Sequence, residues 1–324
     1  MGKEMASSRT HTHPHLTDKI EHPGTRLVLS LVFTLAFVVV EMVAGLWANS
    51  LALLTDAAHN FTDVIALGLS WHAIRLATKP AHSGRTFGYH RAGILIALVN
   101  ATTLAVIALG IFYEAYHRFV TPLVVEANIL IGVAVVAFVV NTGTALLVRR
   151  GSENDLNLRS AYLHLVGDAL STFAAIVAGI GIALTGWVWL DPLVSVFIGL
   201  FIIWNAWGII KETVEILLEG TPRDVDVNAI VRDLGRIDGV RGVHDLHVWS
   251  ITQSMRSLAA HIDTDDISIS ASALIQREIN QVLMHKYGIA HATLQFECTE
   301  CESTLLYCDL GQVNHPYSHT EITE

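Results

Sequence analysis

Long apolar segments fill the first two thirds of the chain, and a mixed apolar and polar pattern follows from about residue 213. A helix that crosses about 30 Å of hydrocarbon needs roughly 20 predominantly apolar residues. By this criterion the pattern predicts six membrane-spanning helices, at residues 27–47, 51–77, 92–117, 127–149, 159–185 and 190–210. Very short links join the first span to the second and the fifth to the sixth, so the members of each pair are predicted to be antiparallel neighbours.

The region after the last apolar segment reads as a small soluble domain. Gly220, Thr221 and Pro222 end the helical pattern, because proline cannot continue a helix. An amphipathic stretch then opens at Asp224 and Asp226, followed by strand-like alternation at 243–252 and 255–263, a helical pattern at 269–287, and alternation at 291–298. The order α-β-β-α-β predicts a two-layer α+β domain.

The predicted organisation therefore has four parts. They are a polar N-terminal segment with a short histidine tract (1–25), a six-helix transmembrane domain (26–212), a soluble domain (213–300) and a flexible tail (301–324). The N-terminal segment lacks the pattern of a cleavable signal peptide.

Composition and charge support a membrane protein that handles cations. Of the 324 residues, 52% are hydrophobic and 15% are charged, whereas soluble domains contain about 25% charged residues. Residues 211–324 hold 8 basic and 18 acidic residues and account for the whole formal charge of −10. An acidic soluble domain argues against nucleic acid as a partner and suits cations. The lipid bilayer is the predicted surrounding of the apolar part.

Basic residues in the links indicate the orientation of the spans. Lysine and arginine accumulate on the cytoplasmic side of a membrane. The link between the third and fourth spans carries only Arg118, whereas the links on the other side carry most of the basic residues: Arg75, Lys79, Arg85, Arg91, Arg149, Arg150 and Arg159. Both termini are therefore predicted to be cytoplasmic. The compact length favours a bacterial plasma (inner) membrane.

Two histidine–aspartate pairs with the same spacing lie inside predicted spans: His59 with Asp63, and His164 with Asp168. Residues four apart share one face of a helix, and ionisable residues within spans usually mark an ion or proton pathway. Polar residues also join spans to each other, but two buried carboxylates need a cation or protons to balance their charge. Two imidazoles and two carboxylates form a tetrahedral ligand set that suits Zn²⁺, with Co²⁺, Cd²⁺ and Ni²⁺ as alternatives.

The same ligands suggest exchange of metal for protons. Imidazole titrates near pH 6.5, and a ligand must lose its proton before it binds metal. A site that faced the two sides of the membrane in turn would act as a metal/proton antiporter. Asp56, one turn before His59, is either an orienting partner for an imidazole or a polar residue near the helix end. Glu41 and Asn141 are expected at packing or water-lined positions.

Three segments resemble the cation diffusion facilitator family. Residues 50–63 (SLALLTDAAHNFTD) resemble its second span, residues 86–92 (TFGYHRA) its signature at the third span, and residues 164–168 (HLVGD) its fifth-span motif. The resemblance extends over about residues 25–298 and implies a homodimeric zinc exporter driven by proton influx, with six helices and a cytoplasmic ferredoxin-like domain. His59 implies the subgroup that transports zinc and cobalt, while Gly93 replaces an acidic residue of the usual signature.

The resemblance also implies metal sites outside the membrane. His90, between the second and third spans, is the candidate for a loop site, and the alternative is a solvated histidine beside Arg91. In the soluble domain the resemblance favours His244 with His261, joined by His291 or Glu297. Cys298 and Cys301 have the spacing of zinc ligands, and Cys308 is the candidate for a third thiolate ligand. Zinc bound there would regulate transport or stabilise a dimer, and no organic cofactor is expected.

Three other functional classes fit the sequence less well. A metal sensor or scaffold would leave the intramembrane pairs unexplained. An intramembrane metallopeptidase needs a His-Glu-x-x-His motif, which does not occur in the sequence. In a channel, tight binding by four ligands would make release of the ion too slow for conduction. The sequence predicts a transporter rather than an enzyme.

Overall fold

The computed structural model describes residues 25–149 and 156–298. Six long helices occupy its N-terminal part: α1 (Thr25–Ala48), α2 (Leu51–Ala77), α3 (Ala92–Val120), α4 (Ala127–Arg149), α5 (Leu156–Thr185) and α6 (Leu190–Leu217). Each lies where the apolar pattern predicts a helix. The histidine tract at 11–15, Cys301, Cys308 and the predicted tail lie outside the described residues.

Four of these helices are long and apolar enough to cross a membrane, among the residues that the structure describes: α3, α4, α6 and the Tyr162–Thr185 part of α5. The described apolar part of α1 (Thr34–Ala48) is shorter. In α2, Asp56, His59 and Asp63 lower the mean hydropathy, so this helix does not meet the same criterion. The chain is therefore a membrane protein, and a count of six spans stays a prediction.

Helix α2 occupies a central position in the bundle. Helix α3 pairs with α6 and α4 pairs with α5, while α2 packs against α1, α3, α5 and α6. Small residues allow close approach, as is common between membrane helices. At Gly199 of α6, an added Cβ atom would lie 2.6 Å from Phe112 Cε1 of α3. This packing places the polar face of α2 in the interior of the bundle.

A buried polar network holds the start of α2. Asp191, in the first turn of α6, is fully buried and accepts hydrogen bonds from Ser50 Oγ (2.5 Å), Leu51 N (2.7 Å) and Ala52 N (3.2 Å). The free N–H groups and the dipole at a helix N-terminus favour an anion at this place. Arg118 of α3 brings its Nη1 atom to 3.5 Å from the same carboxylate. The network therefore connects α2, α3 and α6.

The C-terminal part contains α7 (Val227–Leu234), β1 (Gly242–Ser250), β2 (Arg256–Asp263), α8 (Ile269–Tyr287) and β3 (Ile289–Glu297). The sheet order is β1-β2-β3, with β1 antiparallel to β2 and β2 parallel to β3. A parallel pair needs a crossover connection, and α8 supplies it. The element order agrees with the predicted α-β-β-α-β.

Buried apolar residues from both layers of this domain form its core, among them Ile230, Leu246, Leu258, Ile279 and Leu283. The term ferredoxin-like describes a four-stranded β-α-β-β-α-β unit. The described sheet has three strands, so that designation stays a prediction.

Candidate metal sites

The four predicted ligands of the intramembrane site lie together between α2 and α5. His59 Nε2 is 3.6 Å from Asp63 Oδ2 and 3.5 Å from Asp168 Oδ1. His164 Nε2 is 3.2 Å from Asp63 Oδ2 and 3.5 Å from Asp168 Oδ2. Each imidazole therefore contacts both carboxylates. We call these four residues the tetrad.

The spacing of the tetrad suits one metal ion. Ligand atoms of His59, Asp63 and His164 lie within 4.8 Å of one another. The nitrogen–oxygen distances of 3.6 and 3.2 Å are close to the spacing of about 3.3 Å between ligands of a tetrahedral ion with bonds of about 2 Å. Asp168 completes the set through its contacts with both imidazoles. The side chains of His164 and Asp63 are 48% and 30% exposed, whereas that of Asp168 is 8% exposed. The tetrad is therefore more exposed at His164 and Asp63, its open side, than at Asp168, its closed side.

Asp56 lies in the second turn of α2, near the helix end as one of the two alternatives predicts, and belongs to a polar cluster of its own. Nδ1 of His59 has no hydrogen-bond partner among the described residues, so Asp56 does not orient this imidazole. Asp56 Oδ2 instead accepts from Asn60 Nδ2 at 3.5 Å, and the same amide donates to Glu41 Oε2 at 3.2 Å. Sequence reasoning missed this cluster, although the i, i+4 spacing of Asp56 and Asn60 is a signal that they share one face.

A second group of ligand-type side chains lies on the C-terminal sheet. His261 Nδ1 is 2.9 Å from Glu297 Oε1, and His244 Nε2 is 3.4 Å from Glu297 Oε2. The register explains this, because His244 pairs with His261 across β1 and β2, and Glu297 pairs with Asp263 at the end of β3. One ligand atom from each of the three lies within 4.8 Å of the others. Two nitrogens and one oxygen at this spacing fit a zinc ion.

Two family descriptions match almost the whole described chain. One is the cation efflux transmembrane domain, which matches residues 27–218, and the other is the cytoplasmic domain of cation efflux proteins, which matches residues 222–298. The chain belongs to the cation efflux family. This is the family also called the cation diffusion facilitators, and the chain is of its zinc-transporter type. Its members are transporters and not enzymes.

Three relatives illustrate the similarity. The chain is 39% identical over 274 residues to the cadmium, cobalt and zinc/H(+)-K(+) antiporter of Bacillus subtilis (strain 168). The aligned region covers 84% of this chain and 88% of that protein. The chain is 36% identical over 317 residues to the zinc transporter ZitB of Escherichia coli (strain K12), which covers 97% of this chain and 100% of that protein. It is also 36% identical over 298 residues to the metal cation efflux system protein CzcD of Cupriavidus metallidurans, with 92% of each chain covered.

The first strand of the cytoplasmic domain of this cation efflux protein is irregular. The pairing of β1 with β2 shifts register between His244 and His247, and Asp245 adopts a φ of 46°, which is uncommon for a residue other than glycine. Its carboxylate lies 3.0 Å from His247 Nε2 and 3.5 Å from His261 Nε2. His244 is buried, whereas the side chain of His247 is 44% exposed.

His291 lies apart from the cytoplasmic cluster. The register of β3 pairs His291 with Ser257, near the opposite end of the strand from Glu297. Its ring packs edge-on against Phe87, with centroids 6.5 Å apart. Of the two alternatives that the family resemblance implies, the structure brings only Glu297 to His244 and His261.

The remaining predicted ligands also lie outside the two clusters. His90 lines a cavity of about 610 Å³ between the link that follows α2 and the cytoplasmic sheet. Among residues 25–149 and 156–298, neither His90 nor Cys298 belongs to a group of three ligands. Cys298 is exposed, and its predicted partner Cys301 is outside the described residues.

Proposed function

We propose that this protein exports Zn²⁺ from the cytoplasm in exchange for protons, by alternating access of the tetrad. The observation that carries the proposal is the contact of each imidazole with both carboxylates across α2 and α5. Cation efflux follows from the family. The names of the relatives support zinc as substrate and protons as counter-ions, with Co²⁺ and Cd²⁺ as further substrates. Ni²⁺ is a further candidate because the same ligands also bind it.

The charge of the tetrad gives the exchange a physical basis. Two carboxylates and two neutral imidazoles carry a charge of about −2, which one divalent cation balances. Residues 34–74 and 162–185 contain no lysine or arginine, so no basic side chain from those segments takes the place of the cation. When the metal leaves toward a more acidic compartment, protons bind to the same groups. One site therefore couples the two ions without a separate transmission step.

The exposure of the tetrad supports access from the cytoplasm in this conformation. The more exposed ligands are Asp63, nearer the C-terminal end of α2, and His164, nearer the N-terminal end of α5. The link that follows α2 lies on the same side as the cytoplasmic domain, since Phe87 contacts His291. We infer that the ion enters from this side.

The proposal includes the topology and assembly predicted from the sequence. Helices α1–α6 span the inner membrane, residues 26–212 form the transmembrane domain and 213–300 the cytoplasmic domain, and both termini are cytoplasmic. The matched cytoplasmic domain is a dimerisation domain, which supports a homodimer. His244, His261 and Glu297 would hold a zinc ion that stabilises this dimer or regulates transport.

Zinc uptake into proteoliposomes against an imposed pH gradient tests the proposal. The wild-type protein should accumulate Zn²⁺ when the gradient is present and stop when an ionophore abolishes it. Asp168→Ala should remove transport, because it deletes a carboxylate that contacts both imidazoles. Glu114→Ala is the matched control, since it removes an acidic side chain of the same bundle that is 45% exposed. Transport that survives Asp168→Ala, or that ignores the gradient, would contradict the antiport mechanism.

A further inference from the structure

Three polar side chains of α1 and α2 form a closed cluster next to the tetrad. Asn60 Nδ2 donates to Glu41 Oε2 at 3.2 Å and to Asp56 Oδ2 at 3.5 Å. Glu41 is fully buried, and Asp56 is 4% exposed. Glu41 Oε1 is buried and has no hydrogen-bond partner among the described residues. One amide therefore serves two carboxyl groups and leaves a buried oxygen unsatisfied, which is costly.

Apart from the imidazole of His59, which belongs to the tetrad, the charge of this cluster has no basic counterpart nearby in the chain. Residues 34–74 contain no lysine or arginine, and the same holds for residues 162–185 of α5, which packs against α2. Burial of an unpaired carboxylate costs several kcal/mol. A structural hydrogen bond between α1 and α2 would need only one polar pair. Two buried carboxyl groups with one amide donor need either protons or a cation to balance their charge, and the adjacent tetrad can supply a cation.

The cluster lies on the closed side of the tetrad. Asp56 precedes His59 by three residues and Asp63 by seven, which is about 4.5 Å and about 10 Å along the helix axis. Exposure falls in this direction, from 30% at the Asp63 side chain through 16% at that of His59 to 4% at Asp56. An ion that entered through the open side would reach the cluster after the tetrad.

We propose that Glu41, Asp56 and Asn60 form a second divalent-cation site, which receives the transported ion from the tetrad on its way across the membrane. Two carboxylates match the charge of one divalent ion, and rotation of the Asn60 amide would turn its oxygen toward the ion. This inference rests on the proposed function, because it treats the tetrad as the preceding site of the same ion.

The donor atoms determine the role of the second site. Its ligands are all oxygen, whereas the tetrad supplies two imidazole nitrogens, which Zn²⁺ and Co²⁺ prefer. The second site therefore binds the ion more weakly than the tetrad does. Transport requires binding that is strong enough for entry and weak enough for release, and a weaker site on the exit side meets that requirement.

Cobalt binding to the full-length protein in detergent tests the proposal, with Co²⁺ itself as the probe. Bound Co²⁺ per chain is counted by equilibrium dialysis at saturation. The part of the visible four-coordinate Co²⁺ absorption that Asp168→Ala removes reports the tetrad, and the remainder includes the site on the cytoplasmic sheet. The double variant Glu41→Gln/Asp56→Asn should bind one Co²⁺ fewer per chain than the wild type and keep the tetrad absorption. An unchanged count would overturn the proposal and show that protons alone neutralise the two carboxyl groups.

Two further variants complete the test. Asp168→Ala should lose the tetrad absorption and retain the second Co²⁺, so failure of the tetrad assignment is distinguishable from failure of the second site. Asn60→Asp adds a carboxylate to the cluster and should tighten the weaker Co²⁺ site at least about tenfold. This variant tests the site if the double variant does not fold, and an affinity that is unchanged or lower would contradict the proposal.

Discussion

Replacement of Asp191 by alanine should detach the start of α2 from α3 and α6 and destabilise the bundle. The carboxylate is fully buried and accepts three hydrogen bonds, from Ser50 Oγ and the backbone N–H groups of Leu51 and Ala52. It also lies 3.5 Å from Arg118 Nη1. Alanine would leave the three donors without their acceptor, while the largely buried guanidinium of Arg118 would keep only Glu114 and the Asn49 carbonyl as acceptors.

The size of the effect follows from these contacts. A hydrogen bond to a charged group contributes about 1.5–3 kcal/mol, but the contributions are not additive here, because all the donors share one acceptor. Removal of one partner of a buried ion pair costs about 3–5 kcal/mol. We expect Asp191→Ala to lower the free energy of unfolding by that amount. Asp191→Asn keeps one acceptor oxygen and should lose roughly half as much.

Reversible unfolding of the full-length protein in mixed detergent micelles measures this difference. Glu114→Gln is the matched control, since Glu114 is the other acidic partner of Arg118, at 3.0 Å, and is 45% exposed. An exposed ion pair is worth about 0–1 kcal/mol. The reasoning fails if Asp191→Ala unfolds within about 1 kcal/mol of the wild type, or if it is no less stable than the control.

Three further predictions concern the cytoplasmic domain. Burial and a hydrogen bond to Asp233 raise the pKa of Tyr287 from 10.0 to about 12, so the folded protein keeps a proton that the unfolded chain releases. Stability should therefore fall between about pH 10 and 12, and thermal melts of Tyr287→Phe should show a shallower fall; an identical slope would count against this. Gly288 ends α8 in the left-handed conformation, with a φ of 66°. Gly288→Ala should therefore lower the free energy of unfolding by about 1–2 kcal/mol in the same melts. An unchanged melting temperature would show that the left-handed conformation does not need glycine. His261→Ala should weaken Zn²⁺ binding at one class of sites at least about tenfold, measured by competition with a chromophoric chelator. The Co²⁺ absorption of the tetrad should not change. An unaltered zinc titration would exclude His261 as a ligand.

Apolar length and local periodicity predict most of the elements. The helix predicted at 269–287 is α8 (Ile269–Tyr287), and the strand predicted at 255–263 is β2 (Arg256–Asp263). Helix α6 continues to Leu217, beyond the predicted end at 210, because no residue before Gly220 breaks the pattern. The two His/Asp pairs were predictable for the same reason, since i, i+4 spacing places each pair on one face whatever the tertiary structure.

Features that depend on contacts between distant segments were not predictable. The position of His291 depends on the register of β3 against β2, and no local pattern encodes that register. Asp191 and Ser50 are 141 residues apart in the chain, so their hydrogen bond follows from the packing of α6 against α2. Glu41 was expected at a packing or water-lined position, because its partners lie on another helix.

The anchored start of α2 limits how the tetrad can be rearranged. With Leu51 held by Asp191, a tilt of α2 displaces each residue in proportion to its distance from that end. Asp56 is about 7.5 Å from Leu51 along the axis and Asp63 about 18 Å, so a tilt of about 10° moves Asp63 by about 3 Å and Asp56 by little more than about 1 Å. Helix α2 then pivots about Leu51. Asp63, which is farther from Leu51, then moves away from its partners on α5, while Asp56, which is closer to Leu51, stays near Glu41.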